Sequence, residues 1–195
     1  MTSIVKSSAG IALVPVESRL LSEQRKIFIK GEINSDTAYE FVTSVMLLVS
    51  EAPDKPIDIY IVDSPGGTVT SGLLIYDTIK SLKNMVVNIH CVGMASSIAA
   101  VILAGGQKGR RFALPRSTIM IHEPLLSGGV GGSATNIQRT AESIVETKKV
   151  LVDLLAQDTG KSRKKIEAAI AYDNRMTAEQ AIEFGLCDHI ETKIV

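Results

Sequence analysis

Met85-Val86-Val87-Asn88-Ile89-His90-Cys91-Val92, followed by Gly93-Met94-Ala95-Ser96-Ser97-Ile98-Ala99-Ala100-Val101-Ile102-Leu103, decides the fold. The first half, Met85–Val92, is rich in β-branched residues and reads as a strand. Ser97–Leu103 is made of small and aliphatic residues and opens a buried helix. The same alternation extends outward on both sides. Upstream, Lys26-Ile27-Phe28-Ile29-Lys30 reads as a strand, and Ser35-Asp36 offers an N-cap for a helix to about Ser50. Ile57–Val62 is a further strand, closed by the turn Pro65-Gly66-Gly67, and Leu73–Leu82 reads as a helix. Downstream, Thr118–His122 is a short strand, and a glycine-rich loop runs from Ser127 to Gly132. A long helix spans about Ala134 to Gln157. Its residues Ile137, Ala141, Ile144, Val145, Leu151 and Leu155 share one stripe at helical spacing, and Gly160 ends it. Two shorter helices follow, the second opened by the capping-box pattern Thr177-Ala178-Glu179-Gln180. Ile190–Val195 is expected to close as a strand. Strands alternating with helices predict an α/β fold with a largely parallel sheet.

The chain has 195 residues, enough for a single domain, and 45% apolar content, enough to fill a sizeable core. Aromatic residues are only 4%, so that core is aliphatic. Lys+Arg and Asp+Glu both count 21, and the balance argues against a nucleic-acid groove or an anionic membrane as main partner. Cys91 and Cys187 lack zinc-ligand or CxxC spacing and read as buried thiols in a reducing cytosol. The longest apolar run, Ile98–Ala104, is far too short to span a bilayer. Met1–Val16 has no convincing signal-peptide core or cleavage site, so residues 1–17 are expected to be a flexible arm or a short propeptide.

Chemistry is concentrated in four separated segments: Asp63-Ser64-Pro65-Gly66-Gly67, Gly93–Ala100, Met120-Ile121-His122-Glu123-Pro124, and Asp173-Asn174-Arg175-Met176-Thr177-Ala178. Ser97 sits between strand and helix, where the positive end of the helix dipole favours developing negative charge. His122 ends a strand beside a loop and suits a general base. Asp173, before a helix cap, is placed to orient that imidazole. Gly66-Gly67 lets backbone approach a ligand, and the N–H groups of Gly67 and Ile98 can form an oxyanion hole. Each piece alone has a blander explanation: Ser97 as a cap, Asp173 as a turn residue, the glycines as a turn, and any single histidine as a structural one. His90 and His189 are given that structural reading. Gly129–Ala134 fits a loose dinucleotide pattern, but no strand with a terminal acid follows at the required distance. Gly160-Lys161-Ser162 lacks the first glycine of a P-loop, and there is no G-x-S-x-G elbow.

In order and spacing these segments resemble the proteolytic subunits of the caseinolytic (Clp) proteases, the ClpP family, from Ser18-Arg19-Leu20-Leu21 to Gly185-Leu186-Cys187-Asp188. The resemblance implies a crotonase-like fold of stacked β-α-β units, in a single peptidase domain over residues 1–195. It implies a protruding handle helix, with residues of about 125–157 as handle. It implies Ser97 as nucleophile, His122 as base, Asp173 as orienter, and Gly67 and Ile98 at the oxyanion positions. Substrate would lie as an extended strand near Gly66, Gly67, Thr68 and Val69 on one side and Leu125 and Leu126 on the other. No cofactor or metal is implied, since ATP is used by the partner. The implied partners are the chain itself, in two stacked seven-membered rings, a ring-shaped AAA+ unfoldase, polypeptide substrates, and possibly a paralogue. The implied location is the cytoplasm. The sequence departs from the family pattern at Pro15-Val16-Glu17, at Ile59 and Ile61 where an aromatic is usual, at Tyr172 in place of arginine, and at Arg175 in place of an aromatic. These departures point to a divergent paralogue, so a poorly active structural subunit of a mixed ring is the alternative. An acyl-CoA hydratase of the same superfold is a third reading, one with no use for serine, histidine and aspartate in this order.

Overall fold

A computed structural model describes residues 1–7, 10–126, 128–129 and 131–194. Ser8 and Ala9 of the expected arm, Ser127 and Val130 of the glycine-rich loop, and Val195 of the expected last strand lie outside the described residues. In chain order the elements begin with β1 (Thr2–Ser7), β2 (Gly10–Pro15), α1 (Val16–Gln24), β3 (Lys26–Ile33) and α2 (Ser35–Glu51). They continue with β4 (Ile57–Gly67), α3 (Val69–Ser81), β5 (Val87–Ser96), α4 (Ile98–Ala104), β6 (Arg111–Ala113) and β7 (Thr118–Ile121). The last are α5 (Ala134–Thr159), α6 (Arg163–Ile170), β8 (Asn174–Thr177), α7 (Ala178–Phe184) and β9 (His189–Ile190).

Local chemistry explains most of the boundaries. Asn34, rather than Ser35, caps α2: its side chain accepts from the Thr37 N–H. Ser133 and Ser162 do the same for α5 and α6. The capping box at Thr177 and Gln180 is present with both hydrogen bonds. Gly160 ends α5 at φ 73, in the left-handed region open to glycine. Five elements were not expected from the sequence: β1, β2, α1, β6 and β8. The expected strand over 190–195 shrinks to His189–Ile190. Residues 1–17, expected as an arm, hold the antiparallel pair β1–β2 and the start of α1.

Strands β3, β4 and β5 run parallel, and β5 then divides its far edge between two neighbours. Its segment Ile89–Cys91 pairs with β6, whereas Met94–Ser96 pairs with β7. β8 lies antiparallel to β7. Ile59, Ile61, Ile89 and Cys91 join the helices in one apolar core. Gly72 permits α3 to lie hard against α4, since a Cβ there would stand 2.0 Å from Ile98 Cγ1. Both cysteines are free and buried, as expected, and burial raises their thiol pKa values to about 12 for Cys91 and about 11 for Cys187.

Tyr60 and His90 face away from the apolar core. In-register neighbours place Phe28, Tyr60, His90, Phe112 and His189 in one row across five strands. Adjacent ring centroids are 4.6 to 5.4 Å apart. The aromatic character missing at Ile59 and Ile61 therefore resides one position away, on the opposite face of the same sheet. Helix α5 is buried only at its C-terminal end, at Leu151, Val152, Leu155, Asp158 and Thr159. Of the expected apolar stripe, Leu151 and Leu155 are buried, while Ile137 and Val145 are exposed.

Candidate active site

The turn from β5 into α4 puts Ser97 at φ 58, ψ −126, a left-handed conformation that costs a side-chain-bearing residue energy. A serine held on a sharp strand-to-helix turn presents its hydroxyl outward, as in a nucleophile elbow. The glycines that usually allow such a turn are replaced by Ala95 and Ala99, both wholly buried. The Ser97 N–H is anchored on the Met120 carbonyl at 2.8 Å, which fixes the turn to β7.

The Ser97 hydroxyl makes no capping hydrogen bond to α4. It lies 2.8 Å from His122 Nε2 instead. The capping explanation is thereby set aside by geometry. Ser96, the adjacent hydroxyl, is 2% exposed, and its Oγ has no hydrogen-bond partner among the described residues. Only Ser97 of the pair reaches the histidine.

His122 follows β7 directly. The β7–β8 register pairs Met120 with Arg175 and Ile121 with Asn174. One step further sets His122 opposite Asp173. Asp173 Oδ1 is 3.6 Å from His122 Nδ1, an ion-pair distance that is too long for a hydrogen bond. Asp173 Oδ2 also meets Arg175 NH2 at 3.2 Å. The next residue, Glu123, is tied to Lys148 on α5 at 2.5 Å, and its N–H donates to the Ile170 carbonyl. The strand end bearing His122 is thus clamped to two helices.

Gly66 and Gly67 press against this corner. A Cβ on Gly66, whose φ is +94, would stand 2.6 Å from Ser97 Cβ, and one on Gly67 would stand 2.0 Å from the Ile33 carbonyl oxygen. Only glycine permits both approaches. Ser64, fully buried, holds the turn in place by donating to the Gly31 carbonyl at 2.7 Å and accepting from the Gly66 N–H. Sequence reading gave Ser64 no such task, although its place before Pro65-Gly66-Gly67 was visible.

A cleft of about 200 Å³ opens over the hydroxyl–imidazole pair, lined by Gly67, Val69, Ser97, Ile98, His122 and Leu125 among others. A second groove of about 370 Å³ continues from Val69, Pro124 and Leu125 past Leu126 to α5. The structure therefore brings Ser97, His122, Asp173, Gly66, Gly67, Ile98, Val69, Leu125 and Leu126 to one face. Thr68 neighbours them, its hydroxyl donating to Ser71 and its N–H to the Ile33 carbonyl. His90 lies apart in the aromatic row, with Nδ1 2.7 Å from Glu191. His189 closes that row against Phe112. A polarised hydroxyl facing an apolar cleft, with an imidazole to take its proton, can attack an acyl carbon.

The Clp protease family model matches residues 11–193, a span that contains every strand of the central sheet and every residue of this corner. With seven helices described around a mostly parallel sheet, the architecture is the one such a match requires. The chain belongs to the Clp protease family, a family of serine peptidases.

Proposed function

We propose that the chain is the proteolytic subunit of an ATP-dependent Clp protease, a serine endopeptidase that cuts unfolded polypeptides inside a ring-shaped chamber. The observation that carries this reading is the 2.8 Å contact between Ser97 Oγ and His122 Nε2 at a strained strand-to-helix turn. Ser97 attacks the peptide carbonyl while His122 takes its proton and later passes it to the leaving amine. Asp173 orients the imidazole once it closes the remaining distance. The N–H groups of Gly67 and Ile98 receive the tetrahedral oxyanion, each such donor contributing about 3–4 kcal/mol in comparable sites. The substrate strand lies between Gly66–Val69 and Leu125-Leu126, reading backbone before side chain.

The chain itself needs no cofactor in this reading; ATP is hydrolysed by an AAA+ unfoldase that feeds the chamber from the cytoplasm. Exposed apolar side chains on α2, α3 and α5 (Tyr39, Met46, Leu47, Leu74, Ile137 and Val145) support assembly with further copies. Among the described residues no helix is long and apolar enough to cross a membrane. Family membership displaces the acyl-CoA reading.

The 3.6 Å gap at Asp173 supports a second reading, a subunit that cuts poorly alone and completes a mixed ring. Hydrolysis of an unstructured fluorogenic polypeptide by the purified homo-oligomer separates the two. Turnover that His122→Ala reduces at least a thousandfold is the result expected of the main reading. Turnover at the level of the His122→Ala variant supports the structural subunit instead.

A further inference from the structure

The Asp173 carboxylate is shared. One oxygen faces His122 Nδ1 at 3.6 Å and the other faces Arg175 NH2 at 3.2 Å. Asp173 immediately precedes β8 and Arg175 is the second residue of that strand, so the two partners are neighbours along the chain. The β7–β8 register pairs Arg175 with Met120 and, one step past Ile121–Asn174, sets Asp173 opposite His122, so the carboxylate lies between imidazole and guanidinium. Among the described residues the Arg175 side chain makes no other hydrogen bond or ion pair.

Building on the reading of Ser97, His122 and Asp173 as a triad, we propose that Arg175 is a positioning residue that restrains Asp173 and sets how closely its carboxylate couples to His122. A carboxylate stabilises the imidazolium that forms when Ser97 gives up its proton. A guanidinium on the same carboxylate offsets part of that field. It also draws Oδ2 toward itself and keeps Oδ1 outside hydrogen-bond range of Nδ1. Both effects act in one direction, toward a weaker hold of the Asp173 carboxylate on the imidazole. Removing the cation frees the carboxylate to swing onto the imidazole.

The remaining charges around this corner do not substitute for Arg175. The cleft wall on the Ser97 side is apolar apart from Ser97 and His122. Glu123 beside His122 is neutralised by Lys148 of α5. Arg116 and Glu179 face Arg175 from one groove, and Lys165 and Glu183 from the other, each groove holding one charge of either sign from these pairs. Lys161 in the second groove is engaged with the Glu183 carbonyl.

Both Arg175 and Asp173 are more than half exposed, so solvent screens the pair and the effect is modest. The test is histidine NMR with a 13Cε1 label on the intact protein. There are three histidines, and the His122 signal is the one lost in His122→Ala. In Arg175→Ala the His122 titration midpoint moves up, equivalent to roughly twofold to fivefold tighter proton binding. Arg175→Lys keeps the wild-type midpoint, and Arg175→Ala in an Asp173→Asn background leaves it unmoved. An unshifted midpoint in Arg175→Ala, or an equal shift without the Asp173 carboxylate, overturns the proposal. The second arm is the pH dependence of Ser97 labelling by a fluorophosphonate. The acidic limb moves to higher pH in Arg175→Ala while the alkaline plateau stays within about twofold. A uniform fall at all pH values shows a merely structural role and overturns it. A midpoint shift in a protein whose Ser97 resists labelling upholds the coupling and sinks the hydrolase reading alone.

Discussion

Ser97 and Ser96 are chemically identical neighbours whose fates are set by one backbone turn. The left-handed φ at Ser97 turns its hydroxyl outward to His122, whereas Ser96 points into the core. Sequence could list the pair but could not rank it without family resemblance, because the ranking is a matter of dihedral angle. A buried hydroxyl with no partner is a cost without a return. Ser96→Ala is therefore expected to keep Ser97 labelling and to leave stability unchanged or raise it by up to about 1 kcal/mol, read by urea unfolding. A loss above about 2 kcal/mol would show that the hydroxyl is bonded after all. Gly66→Ala is the opposite case. Its φ of +94 and the 2.6 Å approach to Ser97 Cβ force the turn and the serine apart. The labelling rate should drop by at least a hundredfold while the variant stays folded by circular dichroism, since a misplacement of about 1 Å has that consequence. Arg175 was visible only as an unusual residue; its bond to Asp173 needed the strand.

The elements that carry the site differ in how readable they are. β4, β5 and α5 are long, and their apolar patterns announce them. β8 spans four residues with one buried position, too short for any periodic signal. Yet β8 is what sets Asp173, the residue before it, opposite His122, so a strand with almost no sequence signal brings the third candidate residue to the site. The aromatic row was missed for another reason: its members are scattered from residue 28 to residue 189 and meet only through parallel register. His90 at its centre is buried, which opposes its charge, but Asp58 and Glu191 together hold its pKa above the ordinary 6.5. Protonation of His90 in the folded state is therefore favourable. Its contribution is full below the unfolded value near 6.5 and fades as pH rises through the folded value. His90→Phe should flatten that part of the stability–pH curve while keeping the stack. An unchanged slope between wild type and variant would contradict this.

Arg111 makes a comparable tie on the far side of the sheet. It is 1% exposed, pairs with Asp188, and donates to the carbonyls of Ala104, Asp158 and Gly185. Burial pushes the Asp188 pKa up, but the guanidinium and the N–H groups of Arg111 and Gly109 outweigh it and hold it below the usual carboxylate range. That contribution is present above the unfolded pKa and is lost as pH falls. Arg111→Met strands the carboxylate and the carbonyls, and should cost about 3–5 kcal/mol in urea unfolding at neutral pH. A loss under about 1 kcal/mol would show that the tie is dispensable.

At the scale of the molecule, the balanced charge and positive mean hydropathy of +0.21 find an explanation in what the fold leaves uncovered. The N-terminal half of α5 has no buried residue, although its sequence carries the stripe of an amphipathic helix. A stripe legible in sequence and exposed in one copy is expected to be covered by another. Ile137→Asp with Val145→Asp should reduce the assembled mass in native mass spectrometry without lowering the unfolding midpoint of the dissociated subunit. An unchanged mass would place the assembly contacts elsewhere.

The account rests on Ser97 being the hydroxyl that His122 activates. Intact-mass analysis after a fluorophosphonate tests it most directly, on wild type, Ser97→Ala and Ser96→Ala side by side. One adduct on wild type and on Ser96→Ala, with none on Ser97→Ala, is the predicted result. An adduct that survives in Ser97→Ala, or fails to form on wild type, contradicts it.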